Sequence, residues 1–309
     1  MLAVGIDVGG TSIKGAVIKD TGEVLDRFSM PTDKNALPEE VIGQLCDLVN
    51  QTLYEHSYED KVAGIGIGIP GTFNKETGVI INLANLPKWN GFELKKFMES
   101  RTHLYVKIVN DADAAALAEA KFGVGKDYNY LLMITLGTGV GGGIVINKNL
   151  YNGHLGMGGE LGHMVIEMDG ELCGCGRKGC FEAYASATAL IRQTKFAMES
   201  HPDSLLHEEA AKLGIIDARV AFNAEKRGDV AAKEVVENYV KYLSEGLLNY
   251  CNILRPQIIV LSGGVANEGE NLLGRVRTYM ALHNWGMKKM PEVVIKQATL
   301  GYDAGKIGA

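Results

Sequence analysis

The sequence predicts a duplicated α/β protein with a cleft between its two halves, and three observations support this. Each half opens with a strand, a glycine-rich turn and a second strand, written IDVGGTSIKG from Ile6 and ITLGTGVGGG from Ile134. In both halves, short apolar runs typical of buried strands alternate with longer segments of helical period. Glycine makes up 39 of the 309 residues without a fixed period, so particular backbone positions require it.

The first half has the element order of a mixed sheet with helices packed on it. Alternating apolar and polar residues predict three antiparallel strands, with the turn Asp20-Thr21-Gly22 between the second and the third. A segment of helical period follows, and then a continuous apolar run ends at Pro70. The predicted strands cover 2–7, 13–18, 24–30, 62–69 and 104–109, and the predicted helices cover 38–58 and 112–121.

The second half also alternates predicted strands with predicted helices, and it contains more helix than the first. Helical period dominates residues 181–254, with breaks near His201 and Gly228, and the tail 303–309 is also expected to be helical. The predicted strands cover 130–136, 143–147, 258–261 and 293–296.

No low-complexity linker separates the halves, so we expect a short hinge near residues 110–125. The predicted N-terminal α/β domain covers residues 1–115. The predicted C-terminal α/β domain is larger, covers residues 116–297 and carries a metal loop. The tail, residues 298–309, is expected to return to the first domain.

Charge and cysteine content exclude several classes of protein. Lys and Arg number 31 against 37 Asp and Glu, a net charge of −6, which argues against nucleic acid as a partner. The chain has no run of roughly 18 consecutive apolar residues, so the sequence predicts no membrane span. Five cysteines, three of them clustered, do not form the pattern of a secreted disulfide framework, so a cytoplasmic location is expected. The first predicted strand begins at residue 2, so a preceding DNA-binding module is not expected.

Two glycine–threonine turns occupy matching positions in the two halves. Backbone N–H groups in such turns can bind phosphate oxygens, and a carboxylate at the start of one can hold a hydrated magnesium ion. Either turn alone is best interpreted as an ordinary hairpin. Two such turns in matching positions, however, can bind a triphosphate from both sides. Neither matches a Walker A loop or the dinucleotide-binding GxGxxG turn. The candidate residues are Asp7, Gly9, Gly10 and Thr11 in the first turn and Gly137, Thr138 and Gly139 in the second.

Two further strand ends carry candidate residues. Asn110 and Asp111 close a strand and open a helix, where they are either helix caps or, for Asp111, a catalytic base that accepts the proton of an attacking alcohol. Local sequence leaves both readings open. Gly263 and Gly264 follow another apolar strand, where small residues let an adenine lie against the backbone or simply form the turn.

One histidine and three cysteines have the spacing H-x9-C-x-C-x4-C: His163, Cys173, Cys175 and Cys180. An imidazole and three thiolates complete a tetrahedral zinc site, and four protein ligands make that zinc structural. Glu160 and Glu182 flank this loop. Their carboxylates can accept hydrogen bonds from sugar hydroxyls, or they are solvated surface groups.

Taken together, these motifs resemble the ROK family of repressors, open-reading-frame proteins and sugar kinases over nearly the whole chain. The resemblance rests on DVGGT, IPG at 69–71, NLPKW at 85–89, NDADAAA from 110, LGTGVGGG, the GxxGxxGGELGH run from 153, CGCGRKGCFE and LSGGV. It implies an actin-like (ribonuclease H-like) ATPase fold. Lys88 departs from the glycine that glucokinase-like members often have at that position.

The resemblance also implies roles for particular residues. Asp111 takes the position of the catalytic base, and His163 serves both the metal and the sugar because its two ring nitrogens are distinct. The implied zinc ligands are His163, Cys173, Cys175 and Cys180. The implied sugar-binding residues are Gly71, Asn85, Asn110, Glu160, His163 and Glu182.

The resemblance implies transfer of the γ-phosphoryl group of ATP, with Mg²⁺, to the 6-hydroxyl of a hexose. Glucose is the hexose expected as the substrate. An N-acetylmannosamine kinase, a fructokinase or a β-glucoside kinase shares these motifs. Two other classes are a sugar-sensing transcriptional repressor without its DNA-binding module and a non-catalytic sugar-binding scaffold. The resemblance further implies a homo-oligomer, either a dimer or a tetramer.

Overall fold

The computed structural model describes residues 1–83, 85–283 and 290–309 as an α/β protein. Its strands, in chain order, are β1 (Leu2–Val8), β2 (Ser12–Lys19), β3 (Val24–Pro31), β4 (Val62–Ile69), β5 (Thr72–Phe73), β6 (Ile80–Asn82), β7 (Val106–Asn110), β8 (Tyr130–Leu136), β9 (Val140–Ile146), β10 (Asn149–Tyr151), β11 (Ile258–Ser262) and β12 (Val294–Gln297).

Helices separate the strands in both halves. They are α1 (Pro38–Glu55), α2 (Leu94–Thr102), α3 (Asp111–Lys121), α4 (Glu182–Ala185), α5 (Ala187–Ser200), α6 (Leu205–Leu213), α7 (Arg219–Lys226), α8 (Val230–Leu254), α9 (Glu270–His283) and α10 (Ala304–Gly308). Within the described ranges, none of them combines the length and apolar composition needed to cross a bilayer.

The first sheet has the strand order β3-β2-β1-β4-β7. The hairpin strands β1, β2 and β3 pair antiparallel, whereas β4 and β7 are parallel to β1. The register sets Asp7 opposite Gly68 and Ile69 opposite Asn110. Because the carboxyl ends of parallel strands meet at one edge, this register aligns the segments that follow β1, β4 and β7.

The second five-stranded sheet has the order β10-β9-β8-β11-β12, with β8, β11 and β12 parallel. Residues 258–261 of β11 are fully buried, as expected for a central parallel strand covered on both faces. The register pairs Ser262 with Thr135, so the segments after β8 and β11 begin side by side.

Two compact units make up the chain. Unit 1 contains Met1–Asn129, Gly143–Gly159 and Thr299–Ala309, and unit 2 contains Tyr130–Gly142 and Glu160–Ala298. These boundaries differ from the prediction of domains at 1–115 and 116–297, because the whole of α3 and the segment from Gly143 to Gly159 fall in unit 1. The C-terminal residues Thr299–Ala309 fall in unit 1.

Close packing along α3 explains why the observed boundary between the units differs from the predicted domain boundary. A Cβ on Gly308 of α10 would lie 1.7 Å from the Ala114 carbonyl oxygen, and one on Gly143 would lie 2.3 Å from the Ala116 Cβ. Glycines at these two positions let both segments pack directly on α3. Such contacts between residues distant in sequence are invisible to a search for linkers.

The predicted elements correspond closely to those of the structure, with a few informative differences. The predicted strand 104–109 begins at Val106, because His103 ends α2 in the left-handed conformation with φ of 56°. The long helical segment has an extra break at Gly214, whose φ of 68° ends α6. Helix α9 and the short strands β5, β6 and β10 were not predicted.

Glu119 holds the end of α3 to two loop segments of unit 1. Its fully buried carboxylate accepts hydrogen bonds from the backbone N–H groups of Val124 (2.9 Å), Thr299 (2.7 Å) and Leu300 (2.7 Å). We expect Glu119→Ala to lower the free energy of unfolding by about 3 kcal/mol or more, because three partly buried backbone donors would lose a charged, fully buried acceptor. Urea denaturation measures this change. A loss below about 1 kcal/mol, no larger than that of the exposed control Glu76→Ala, would contradict it.

Candidate active site

The carboxyl ends of three parallel strands in unit 1 carry the predicted residues of that half. Asp7 lies near the end of β1, Gly71 follows β4, and Asn110 ends β7 with Asp111 directly after it. The registers of β1 with β4 and of β4 with β7 align these ends. Ligands of open α/β sheets bind at such an edge.

The turn between β1 and β2 is tightly closed. The Gly9 N–H donates to the Ser12 carbonyl at 3.0 Å. Burial raises the pKa of the Asp7 carboxyl above its usual value, while the positive charges of Lys306 and Lys14 act in the opposite direction. Gly305 of α10 lets the tail come close, since a Cβ there would lie 3.3 Å from the Asp7 Cγ. Asp7 is therefore a sheltered carboxylate surrounded by positive charge.

Asn110 caps α3 and also reaches the segment after β4. Its side-chain oxygen accepts from the backbone N–H groups of Ala112 (2.9 Å) and Asp113 (3.3 Å), which confirms the capping interpretation. Its side-chain amide donates to the Gly71 carbonyl at 3.4 Å, so two predicted sugar-binding residues meet.

Asp111 is exposed at the first position of α3. One of its carboxylate oxygens accepts from the Ala112 N–H at 2.9 Å. A carboxylate in the first turn of a helix is stabilised as an anion by the helix dipole. Capping by Asn110 and an accessible carboxylate on Asp111 are therefore compatible, and the two interpretations of the sequence need not compete.

Asn85 lies beside the glycine turn of unit 1. A Cβ built on Gly10 would be 3.8 Å from the Asn85 Cβ, and the same point is 3.8 Å from the Nζ atom of Lys34. Lys34 was not among the residues selected from the sequence. Strand pairing explains its position: β2 pairs with β3 so that Ser12 lies opposite Pro31, and the residues after Pro31 therefore lie near the turn.

The second glycine turn, in unit 2, is held by side chains and backbone of nearby helices. The Thr188 hydroxyl donates to the Thr138 carbonyl at 2.7 Å, and the Ala187 N–H donates to the Gly137 carbonyl at 2.8 Å. Gly139 lies close to the Glu182 side chain, because a Cβ there would be 2.3 Å from one of its carboxylate oxygens. These contacts leave a turn of fixed shape.

Gly263 and Gly264 follow β11 next to this turn. Gly263 has φ of 88°, and a Cβ on it would lie 2.5 Å from the Leu136 carbonyl oxygen. The two glycine segments of unit 2 are therefore neighbours at the carboxyl ends of the paired strands β8 and β11.

The predicted metal ligands converge. One ligand atom from each of His163, Cys173, Cys175 and Cys180 lies within 4.8 Å of all the others. The Cys175 and Cys180 sulfurs are 3.7 Å apart, and Nδ1 of His163 is 3.6 Å from the Cys173 sulfur. A tetrahedral zinc with its usual bond lengths requires about 3.8 Å between sulfurs and about 3.6 Å between nitrogen and sulfur. The donor set and its spacing therefore fit zinc.

Glu182 joins the cysteine cluster to the second glycine turn. One carboxylate oxygen accepts from the Val140 N–H at 3.0 Å, and the other lies 3.3 Å from the Cys173 sulfur. Glu182 begins the short helix α4, two residues after Cys180. The sequence located Glu182 beside the metal loop but did not reveal its contact with the turn.

Glu160 and His163 belong to a tight turn that packs against the start of β9. The His163 N–H donates to the Glu160 carbonyl at 3.1 Å. Gly162 makes the approach possible, because a Cβ there would lie 2.2 Å from the Val140 carbonyl oxygen. The Glu160 side chain is exposed, whereas His163 is half-buried and turns Nδ1 toward the sulfurs. The turn that carries Glu160 and His163 and the Glu182 carboxylate therefore both contact Val140.

Comparison with known proteins gives consistent results over the full chain. A sequence profile described as the ROK family matches residues 3–309. The chain is 38% identical to a glucokinase of Halalkalibacterium halodurans, with 99% of this chain and 92% of the relative covered. It is 30% identical to the xylose repressor of Bacillus subtilis over 89% of this chain and 67% of that protein.

The structure is similar to that of a ROK family glucokinase from Streptomyces griseus, solved in complex with glucose and AMPPNP. The TM-score is 0.82 at 31% sequence identity, covering 100% of this chain and 97% of that one. A likeness of this extent concerns the whole arrangement of elements, not one isolated motif.

Proposed function

Because the chain belongs to the ROK family, we propose that it is an ATP-dependent sugar kinase that phosphorylates the 6-hydroxyl of glucose. The observation that carries this proposal is the similarity to glucokinases over the full length of the chain. The predicted two-domain α/β fold of the actin-like ATPases is confirmed by the likeness to solved ROK family structures.

Asp111 is proposed as the general base. Phosphoryl transfer needs the attacking hydroxyl positioned and its proton accepted, and a carboxylate within hydrogen-bonding reach performs the second task. The exposed Asp111 carboxylate at the end of β7 suits this role. Asn110 and Gly71, which contact each other beside it, are proposed to bind the sugar together with Asn85.

The two glycine turns are proposed to bind ATP through their backbone N–H groups, and Gly263 and Gly264 to lie against the adenine. Magnesium bound with ATP neutralises phosphate charge, and Asp7 is proposed to hold it through water. Asp7 fits this role because it is a sheltered carboxylate at the first turn. Catalysis is then mainly positioning and charge stabilisation.

In unit 2, Glu160, His163 and Glu182 are proposed to bind sugar hydroxyls. His163, Cys173, Cys175 and Cys180 are proposed to hold a structural zinc ion, which cross-links the loop that carries these residues. With Nδ1 of His163 directed to the sulfurs, Nε2 is left to bond a hydroxyl.

The product, a hexose 6-phosphate, places the enzyme in carbohydrate metabolism at the entry to glycolysis. Its ATP requirement and its cluster of thiols suit the cytoplasm, where thiols are kept reduced. A dimer or tetramer is proposed from the family resemblance, and light scattering coupled to size-exclusion chromatography measures it.

A coupled assay across a sugar panel tests the proposed substrate. With ATP and Mg²⁺, we expect kcat/KM for glucose to exceed that for fructose, mannose and N-acetylmannosamine by at least about tenfold. Product detection with glucose-6-phosphate dehydrogenase checks the position of transfer. A higher kcat/KM for fructose or N-acetylmannosamine would show that this sugar, and not glucose, is the substrate. The absence of ATP consumption with every sugar would refute the kinase assignment.

A sugar-sensing repressor is the second candidate, because the chain is also similar to a xylose repressor. A gel shift with promoter DNA, with and without sugar, separates the two functions. Sequence-specific binding at physiological salt would support the repressor.

A further inference from the structure

The segment Thr32–Asn35, which follows β3, is fastened to the first glycine turn. The Thr32 hydroxyl donates to the Gly9 carbonyl at 2.8 Å, and the Thr32 N–H donates to the Thr11 carbonyl at 3.0 Å. Thr32 is only 8% exposed. Two hydrogen bonds from one buried residue therefore hold the beginning of this segment against the turn proposed to bind phosphate.

The end of the segment is held as well. The Asn35 N–H donates to a carboxylate oxygen of Asp33 at 2.8 Å, which closes a local turn. The ammonium group of Lys88 donates to the Asn35 carbonyl. Lys88 is the residue that departs from the glycine of glucokinase-like members, and this contact gives it a role in holding the segment.

Lys34 lies in the segment between these two attachments, and its ammonium group lies close to Gly10. Its Nζ atom is 3.8 Å from the point where a Gly10 Cβ would lie, a point equally close to the Asn85 Cβ. Lys34 is exposed, and among the described residues its ammonium group forms no hydrogen bond or ion pair. An uncommitted positive charge therefore lies beside both the proposed phosphate turn and a proposed sugar residue.

The other two lysines near this turn contact residues of the C-terminal tail. Lys306 forms an ion pair with Asp303 at 2.8 Å and is 5% exposed. Lys14 lies over the Tyr302 ring at 5.5 Å. Both charges act on the sheltered Asp7 carboxyl. Lys34 is thus the lysine of this group whose ammonium group makes no such contact among the described residues.

We propose that Lys34 is a catalytic residue that binds the γ-phosphoryl group of ATP during transfer. Glycine turns supply only N–H dipoles, whereas an ammonium group is a compact full charge that forms stronger, charge-assisted hydrogen bonds to phosphate oxygens. The sequence has no Walker A lysine, and Lys34 would add a positive charge beside the first glycine turn to that of the magnesium ion. The inference rests on the proposed kinase function.

The chemical step balances without a change in Lys34. The bond between the γ-phosphorus and the oxygen bridging to the β-phosphate breaks, and ADP leaves with that electron pair. The sugar O6 forms the new bond to phosphorus, and its proton passes to Asp111. Lys34 keeps its proton and neutralises charge on the γ-phosphoryl oxygens.

Lys34→Gln and Lys34→Arg test this role, with Lys61→Gln as the matched control because Lys61 is an exposed lysine of the same unit. We expect Lys34→Gln to lower kcat/KM for ATP roughly 10- to 100-fold. Lys34→Arg should restore most of this loss, because the charge returns. The melting temperature and the dissociation constant for glucose without nucleotide should match those of the control.

Calorimetric titrations with AMPPNP and ADP locate the contact. For Lys34→Gln we expect AMPPNP to bind about tenfold more weakly while ADP, which lacks the γ-phosphoryl group, binds nearly as to the wild type. Equal losses for both nucleotides, or weaker glucose binding with AMPPNP binding unchanged, would overturn the proposal. So would kinetics indistinguishable from those of Lys61→Gln.

The same measurements separate this inference from the proposed function. Wild-type protein that neither binds AMPPNP nor phosphorylates a sugar would refute the kinase assignment and the role of Lys34 with it. Normal AMPPNP binding and turnover in both the wild type and Lys34→Gln would refute the role of Lys34 alone.

Discussion

Asp111→Asn is expected to lower kcat by at least about 100-fold while leaving glucose binding within about threefold of the wild type. Asparagine keeps a side-chain oxygen that can accept from the Ala112 N–H, so the first turn of α3 is preserved. It removes the basic lone pair that would take the proton of the 6-hydroxyl. Steady-state kinetics and a glucose titration by intrinsic fluorescence measure the two effects.

Asp60→Asn is the matched control, since Asp60 is an exposed carboxylate of the same unit that precedes the amino end of β4, whereas the candidate site lies at the carboxyl ends of the strands. It should not alter kcat. Turnover of Asp111→Asn within about fivefold of the wild type, with an unchanged melting temperature, would exclude Asp111 as the general base.

Cys175→Ser is expected to abolish zinc binding and to weaken glucose binding by at least about tenfold. Cys175 is exposed, whereas Cys173 and Cys180 are buried, so this replacement removes a ligand with little change to the core. Without the metal, the loop that ends at Glu182 loses its cross-link, and Glu160 and His163 lose their common support. Elemental analysis of the purified protein and glucose titration measure the result.

Cys46→Ala serves as the control, because Cys46 is a buried thiol of α1 in the hydrophobic core of unit 1. It should retain one zinc ion per chain, although its stability falls slightly. A zinc-free Cys175→Ser protein that binds glucose as tightly as the wild type would refute the idea that the metal supports the sugar-binding residues.

The sequence predicted the local features of the candidate site well. The glycine turns after β1 and β8, and the capping position of Asn110, depend on residues within a few positions of one another. The cluster of His163 with three cysteines is similar, because its glycines permit the reversals that bring the cysteines together. Gly179 has φ of 78°, and a Cβ on it would lie 1.7 Å from the Glu167 carbonyl oxygen.

Other features of the site were not accessible from the sequence. The approach of Gly305 to Asp7 joins the two ends of the chain, and the Glu182 carboxylate meets the Val140 N–H across 42 positions. Lys34 lies near Gly10 because of the register between β2 and β3 and because Thr32 is hydrogen-bonded to the first glycine turn. Each of these contacts requires the strands to be paired before the residues meet.

The sequence by itself determined which chemical groups this protein carries and where the backbone must turn. Turn glycines, helix caps and ligand spacing are decided by short-range sterics and hydrogen bonding, which residues close in sequence specify. Only the tertiary structure decided the boundaries of the units, the link from Glu182 to the second glycine turn and the position of Lys34. These depend on strand register and on close packing at Gly143, Gly305 and Gly308, which bring together segments far apart in the chain.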